Sequence, residues 1–318
     1  LSFSEVAASS VDAGVLRFAN SAPPGMAATG WGVSWFPQDI AGAGDTWMNS
    51  VFLFPEGWAP GTQNFLTLLH EAGHALGLKH PHDRGLSGVL TGWPENTSVL
   101  PFTGTDTLTN ESTQTMVMAY NDIPGRGTLN DLALQSDFAP TTPMRWDIAA
   151  LQYLYGANMA YNAGDTVYTF DGAARYNQTL WDAGGDDTIV ATGSRDVEID
   201  LRPAQWSKLG QPMSFSTRNA DNSLNAPQPQ FNDPYTVFIY DTVTIENATG
   251  GSGNDTLSGN DVSNQLLGSA GNDSITGLGG SDLLDGGTGG DRMIGGTGND
   301  VYVVDNTLDR VVEATGAG

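Results

Sequence analysis

The sequence predicts an α+β region followed by an all-β region that ends in a parallel β-roll. Three observations carry this: strand-like segments leading into one strongly patterned helix near residue 62, a second helix near residue 146, and a nine-residue period that begins at Gly250. The helical pattern gives way to strands and polar turns near residue 158, which sets domains of 1–158 and 159–318, with repeats over about 250–303.

The first elements are strand-like runs at Val15 to Ala19 and Gly32 to Phe36, each followed by turn residues. Thr62 to Leu78 then reads as a helix: Thr62 can cap it, Phe65, Leu69, Ala72 and Leu76 recur at helical spacing, and Gly77 is placed to end it. Residues 81–145 are rich in Gly, Pro, Asn and Thr and read mostly as loop. Trp146 to Tyr155 reads as a second helix stopped by Gly156, and residues 160–248 as strands separated by polar turns.

The bulk composition narrows the partners. With 36 acidic residues against 12 basic, the net charge is -24. Such a surface repels nucleic acid and anionic membrane but suits hard cations. There is no cysteine, so disulfides and thiolate metal sites are excluded and calcium is the expected staple. The sequence contains no apolar run of about 18 residues that could span a membrane. The opening at Leu1 shows no charged region followed by an apolar one, and the chain reads as a processed or trimmed product, truncated at its C-terminus.

Read in nines, the turns begin at Gly250, Gly259, Gly268, Gly277, Gly286 and Gly295. Aspartate takes the sixth place in Asp255, Asp273, Asp282, Asp291 and Asp300, while the second turn has Asn264 there. The eighth place holds Leu257, Leu266, Ile275, Leu284, Met293 and Tyr302. This is the pattern of a calcium-binding β-roll. Glycine lets carbonyls converge on an ion, aspartate supplies the carboxylate, and the eighth residue fills the core. Two nines complete a coil, so residues eighteen apart stack. A flexible linker would not keep aspartate and apolar residues in phase over five turns. The expected calcium residues here are Gly250, Asp255, Gly268, Asp273, Gly277, Asp282, Gly286, Asp291, Gly295 and Asp300, with the Asn264 turn weaker or without a site.

The strongest local signal is His70-Glu71-Ala72-Gly73-His74-Ala75-Leu76-Gly77-Leu78-Lys79-His80, a full H-E-x-x-H-x-x-G-x-x-H. Residues four apart share a helix face, so His70 and His74 point the same way. Gly77 can turn the chain back so that His80 reaches the same ion. Three imidazoles bind one zinc ion and leave a coordination position open, which marks a catalytic site. Glu71 stands beside them as general base toward water. Three of the four histidines lie in this pattern; the fourth, His82, reads as a loop residue.

Pro81 follows the third histidine, and Met118 and Tyr120 form a Met-x-Tyr turn downstream. In these residues the chain resembles the serralysins, a family within the metzincins. Gly42 to Trp47, Asp147 to Gln152 with Leu154 to Asn158, Trp181 to Thr188, and Val243 to Ala248 are similar to the same family. Ala119 and Asn121 depart from the serine and tryptophan usual around the tyrosine. The resemblance implies a metzincin catalytic domain, with a twisted mixed sheet and an active-site helix, followed by a β-sandwich and β-roll. It implies that Met118 forms the methionine turn beneath the zinc. Tyr120 would ligate zinc at rest and then hydrogen-bond the oxyanion. Further calcium sites would use Asp182, Gly184, Gly185, Asp187, Thr244 and Glu246. The activity implied is hydrolysis of internal peptide bonds by a secreted monomer exported by a bacterial type I system. Its partners would be protein or peptide substrates, bound extended beside an edge strand near residues 43–50, and a proteinaceous inhibitor. The alternative is a calcium-dependent surface-binding protein with a vestigial protease domain.

Overall fold

The computed structural model describes residues 17–20, 32–34, 45–48, 56–80, 113, 115–119, 135–216 and 232–313. The chain divides into two compact units, residues 1–157 with 214–231 and residues 158–213 with 232–318.

In the first unit, β1 (Arg17–Asn20), β2 (Gly32–Ser34) and β3 (Asp45–Met48) form a mixed sheet in the order β1-β3-β2. β1 runs parallel to β3 and β2 antiparallel to it. The edge strand anticipated near residues 43–50 is therefore not an edge: β3 is hydrogen-bonded on both sides, and Thr46 and Met48 are buried as a central strand requires. Among the described residues the free edges belong to β1 and β2, and β2 packs on the helix that follows.

That helix, α1 (Gln63–Ala75), begins at Thr62, whose Oγ1 accepts the amide of Phe65 at 3.3 Å. It ends through Gly77 at φ +97°, with Leu78 N donating to Gly73 O and Gly77 N to His74 O, both at 2.9 Å. This closure needs a left-handed residue, which glycine supplies without a Cβ penalty. The apolar spacing does not mark the deepest face. Phe65, Leu69, Ala72 and Leu76 are half-buried, and the buried face carries Gln63, Asn64, Thr67, His70, Glu71 and His74 beside Leu66. The local backbone pays for part of this polarity: Asn64 Nδ2 donates to Gly57 O at 2.8 Å and Thr67 Oγ1 to Gln63 O at 2.9 Å. β4 (Gln135–Ser136) and α2 (Arg145–Tyr155) complete the described part of the unit. Tyr155 Oη donates to Leu76 O at 2.7 Å and ties α2 to the end of α1.

In chain order the next strands are β5 (Val167–Asp171), β6 (Gln178–Leu180), β7 (Thr188–Thr192), β8 (Glu198–Asp200), β9 (Trp206–Ser207) and β10 (Met213–Ser216), the last an antiparallel partner of β4. Then come β11 (Asn232–Asp233), β12 (Val237–Ile239), β13 (Asn247–Thr249), β14 (Thr256–Ser258), β15 (Gln265–Leu267) and β16 (Ser274–Gly279). β17 (Leu283–Asp285), β18 (Arg292–Thr297), β19 (Val301–Val303) and β20 (Arg310–Val312) follow.

Two parallel sheets, β19-β17-β15-β13-β7-β5 and β20-β18-β16-β14-β8, make a parallel β-solenoid, the expected roll. Successive strands alternate between the sheets, so each coil adds one strand to each. The registers stack Ala248 on Leu266 on Leu284, and Leu257 on Ile275 on Met293. All six side chains are fully buried. Burying each of the larger ones is worth roughly 1.5–3 kcal/mol relative to exposure. The roll starts before the nine-residue period does, because Ile189 pairs with Ala248 and Ile199 with Leu257. β6, β12 and β9 form a separate three-stranded sheet.

The turns stack acids. Asp273 Oδ1 accepts the amide of Asp255 at 2.7 Å, Asp291 Oδ1 that of Asp273 at 2.7 Å, and Asp300 Oδ1 that of Asp282 at 2.9 Å. The remaining oxygens, Oδ2 of Asp187, Asp273, Asp282, Asp291 and Asp300, are buried without a hydrogen-bond partner. A Cβ at Gly277 would overlap Asp282 Oδ2 and lie 2.5 Å from Gly295 O, so the glycine keeps open a cradle of oxygens. Orphaned buried carboxylate oxygens beside converging carbonyls are the donor set a calcium ion needs.

Burial, with the neighbouring acids, pushes Asp273 and Asp282 up to about 6. Aspartate in the unfolded chain titrates near about 3.9, so these groups favour the fold below that value and lose the contribution as pH rises through about 6. In a chelator, the thermal midpoint of the β signal in circular dichroism is therefore expected to fall between about pH 4.5 and pH 7, and calcium should restore it at pH 7. A midpoint that rises with pH in chelator would contradict this account.

Candidate metal centre

α1 sets two imidazoles one turn apart, and the left-handed closure at Gly77 returns the chain to bring in the third. His70 Nε2 and His74 Nε2 each lie 3.0 Å from His80 Nε2. The other ring nitrogens of the two helical histidines are engaged: His70 Nδ1 is 2.8 Å from Val117 O, and His74 Nδ1 is 2.8 Å from Leu78 O. A carbonyl only accepts, so each Nδ1 carries the proton and each Nε2 presents a lone pair. The lone pairs of His70 and His74 therefore point toward His80 Nε2. Tetrahedral ligands at about 2.0–2.1 Å from a zinc ion lie roughly 3.3 Å apart, so the donor set fits that metal. Among the described residues this trio is the cluster of possible ligating side chains that closes within 4.8 Å. Among the described residues the acid columns of the roll form no such side-chain cluster.

Glu71 follows His70 on the buried face and is 7% exposed. Burial pushes its carboxyl up to about 7, against the lowering effect of a hydrogen bond from Ser34 on β2. Ser34 Oγ in turn lies 2.7 Å from Thr46 Oγ1 on β3. Glu71 Oε2 is buried with no hydrogen-bond partner.

Beneath the helix, Met118 is 2% exposed, and a Cβ at Gly73 would overlap its sulfur. The small residue between the histidines thus admits the methionine. The loop holding Met118 is pinned by Asp147 on α2, whose Oδ2 accepts the amides of Val117 at 2.6 Å and Met144 at 2.9 Å. Burial pushes Asp147 up to about 7 while these amides and that of Met118 pull it down. Asp147 therefore holds the backbone at Val117, the residue whose carbonyl fixes His70. The sequence reading included Asp147 only within a family-like stretch, and Ser34 only within a strand; neither has a local pattern that announces its partner. Tyr120, Pro81 and His82 lie outside the described residues.

Of the calcium residues expected from resemblance, Asp187 is fully buried, and its Oδ1 accepts Thr166 N at 2.8 Å. Glu246 Oε2 accepts the Asp187 amide at 2.8 Å. Burial, with Asp182 and Glu246 nearby, pushes Asp187 up to about 6. Asp182 accepts from Tyr168 Oη at 2.5 Å and from Gly184 N at 2.8 Å. Gly184 and Gly185 have φ of +125° and +152°, and Thr244 is exposed. Among the described residues, no helix is long and apolar enough to cross a membrane.

The model of the RTX calcium-binding nonapeptide repeat matches residues 244–261 and 267–302. The chain is 34% identical over 219 residues to a serralysin of Proteus mirabilis, covering 65% of this chain and 37% of that protein. It is 35% identical over 250 residues to metalloprotease AprA of Pseudomonas entomophila (strain L48), covering 73% of this chain and 45% of that one. Serralysin C of Dickeya chrysanthemi is 33% identical over 243 residues, or 70% of this chain and 42% of that one. The chain thus spans less than half the length of these relatives. By this likeness along most of its length, together with its RTX repeats, the chain belongs to the serralysin family.

Proposed function

We propose that the chain is the proteolytic part of a secreted zinc endopeptidase, with a metzincin catalytic domain over residues 1–158 and a calcium-stapled domain over 159–318. One observation carries this reading most directly: the ring nitrogens of His70, His74 and His80 converge at 3.0 Å beside a buried carboxylate with a free oxygen. The names of the relatives, serralysin and metalloprotease, support it.

His70, His74 and His80 would hold the zinc, and the chemistry zinc supplies when bound is Lewis-acid polarisation of a carbonyl and acidification of water. Glu71 takes a proton from water through Oε2 and returns it to the leaving amine. A carboxyl held near about 7 is suited to both transfers. Ser34 and Thr46 hold the other side of the carboxylate in place. Val117 and Leu78 carbonyls keep the helical imidazoles in the tautomer that leaves Nε2 unprotonated, and Met118 supports them from below. By family resemblance, Tyr120 serves as a further ligand at rest and as a donor to the oxyanion. The substrate lies extended along β2, the edge strand that carries Ser34 toward Glu71. The acid columns and the Asp182, Asp187 and Glu246 group bind calcium, so that the roll completes its folding after export through a type I system.

Glu71→Gln is expected to lower kcat on casein by a factor of about 10²–10⁴. The zinc content of that variant should stay unchanged in elemental analysis, and retention of full activity would refute the assignment. Gly73→Ala places a methyl against the Met118 sulfur. It is expected to weaken zinc retention by about 10–100-fold in a competition with a metallochromic chelator, because the support under the ligands is displaced.

A further inference from the structure

Aspartate holds the sixth place at every repeat turn except that beginning at Gly259. There the second and sixth places are both asparagine, Asn260 and Asn264, and both are buried, at 3% and 4% exposure. The family model passes over the end of this turn, matching up to residue 261 and again from 267.

Hydrogen bonds show what the two amides do. Asn264 Oδ1 accepts the amide of Asn260 at 2.8 Å. Its Nδ2 donates to Glu246 O at 2.8 Å and to Asn260 Oδ1 at 3.0 Å. Asn260 Nδ2 donates to Leu201 O at 3.2 Å and Ile245 O at 2.8 Å, and its Oδ1 also accepts the Val262 amide at 3.1 Å. A backbone amide can only donate and a carbonyl only accept, so the orientation of both side chains is set by their partners. No donor of the pair is left over, and the carbonyls of Leu201, Ile245 and Glu246 are taken up by amide hydrogens.

The turn one coil later behaves differently. Asp282 Oδ1 accepts the Asn264 amide at 2.8 Å, and Asp282 Oδ2 is left buried with no partner. The glycine cradle is nevertheless common to both: a Cβ at Gly259 would overlap Asn264 Oδ1 and Gly277 O, as one at Gly277 would overlap Asp282 Oδ2. The same space is thus bounded by a carboxylate with an open oxygen at one turn and by a self-satisfied pair of neutral amides at the other.

We propose that Asn260 and Asn264 form a metal-free clasp, in which amide hydrogens do for this turn what calcium does for its neighbours. The turn takes no ion and holds without one. The clasp interrupts the column that runs Asp187, Glu246, Asn264, Asp282, Asp300, separating its acids into two groups. The column Asp255, Asp273, Asp291 on the other side is unbroken.

The test uses the full chain. In wild type stripped with a chelator, hydrogen–deuterium exchange over residues 257–267 should be at least about tenfold slower than over 283–300, which holds the orphaned carboxylates of Asp291 and Asp300. The variant Asn260→Gly/Asn264→Asp should lose that protection in chelator and bind one more calcium ion than wild type in equilibrium dialysis. Equal exchange of the two segments in stripped wild type would overturn the clasp, whether or not the variant folds. Equal calcium uptake by two folded proteins would overturn it as well. Absence of any calcium uptake by wild type would instead overturn the calcium reading of the repeats, which slow exchange at 257–267 does not depend on.

Discussion

In both units polar atoms with lone pairs converge on one another, and the local structure is organised around that. In the first unit, lone pairs of His70 and His74 point at His80 across 3.0 Å. In the second, carboxylate oxygens of stacked turns face backbone carbonyls with no hydrogen between them. Bringing such groups together costs free energy in an apolar interior unless a cation enters. Under the proposed function, metal binding is then part of folding rather than an addition to it.

Each proposed ligand is held by the same device: one atom is pinned, and that fixes where the other points. Nδ1 of His70 and His74 is pinned by Val117 and Leu78 carbonyls, which turns each Nε2 toward His80. Oδ1 of Asp273, Asp282 and Asp291 is pinned by the amide one coil back, leaving Oδ2 open. Pinning removes rotamer freedom before the ion arrives, so less ordering remains to be done on binding. It also explains where the supporting residues sit. Asp147 acts at two removes, by holding the amide of Val117, the residue whose carbonyl fixes His70. Ser34 does the corresponding work for Glu71, from a neighbouring strand.

Much of this was legible in the sequence, and the reason is periodicity. The nine-residue period repeats the same contact many times, so the roll, its inward residues and its aspartates could be read directly. The histidine motif is local, since helix spacing and one glycine bring all three rings together. What could not be read depends on contacts across long separations. Asp147 meets Val117 thirty residues away, and Ser34 meets Thr46 across a strand pair. β5, β7 and β8 join the roll without its period, because only their inward residues, such as Ile189 and Ile199, match its core. The placement of β3 at the centre of its sheet was missed for a similar reason: strand order is set by partners, not by the strand's own composition.

The buried face of α1 is the most instructive departure. Apolar spacing marks Phe65, Leu69, Ala72 and Leu76, yet the deepest positions are largely polar. A helix that must present His70, Glu71 and His74 inward cannot also turn its most apolar stripe fully inward, because the two stripes occupy different faces of one cylinder. The compromise is visible in the partners: Gln63, Asn64 and Thr67 share the inward face, and Asn64 and Thr67 are anchored to nearby carbonyls. Stability is given up along the helix where the chemistry is held. The roll needs no such compromise, since each coil sends its apolar residue inward and its acid to the turn. At Asn264 a turn carries amide hydrogens where Asp282, one coil later, has an open oxygen, and there the rung closes on itself.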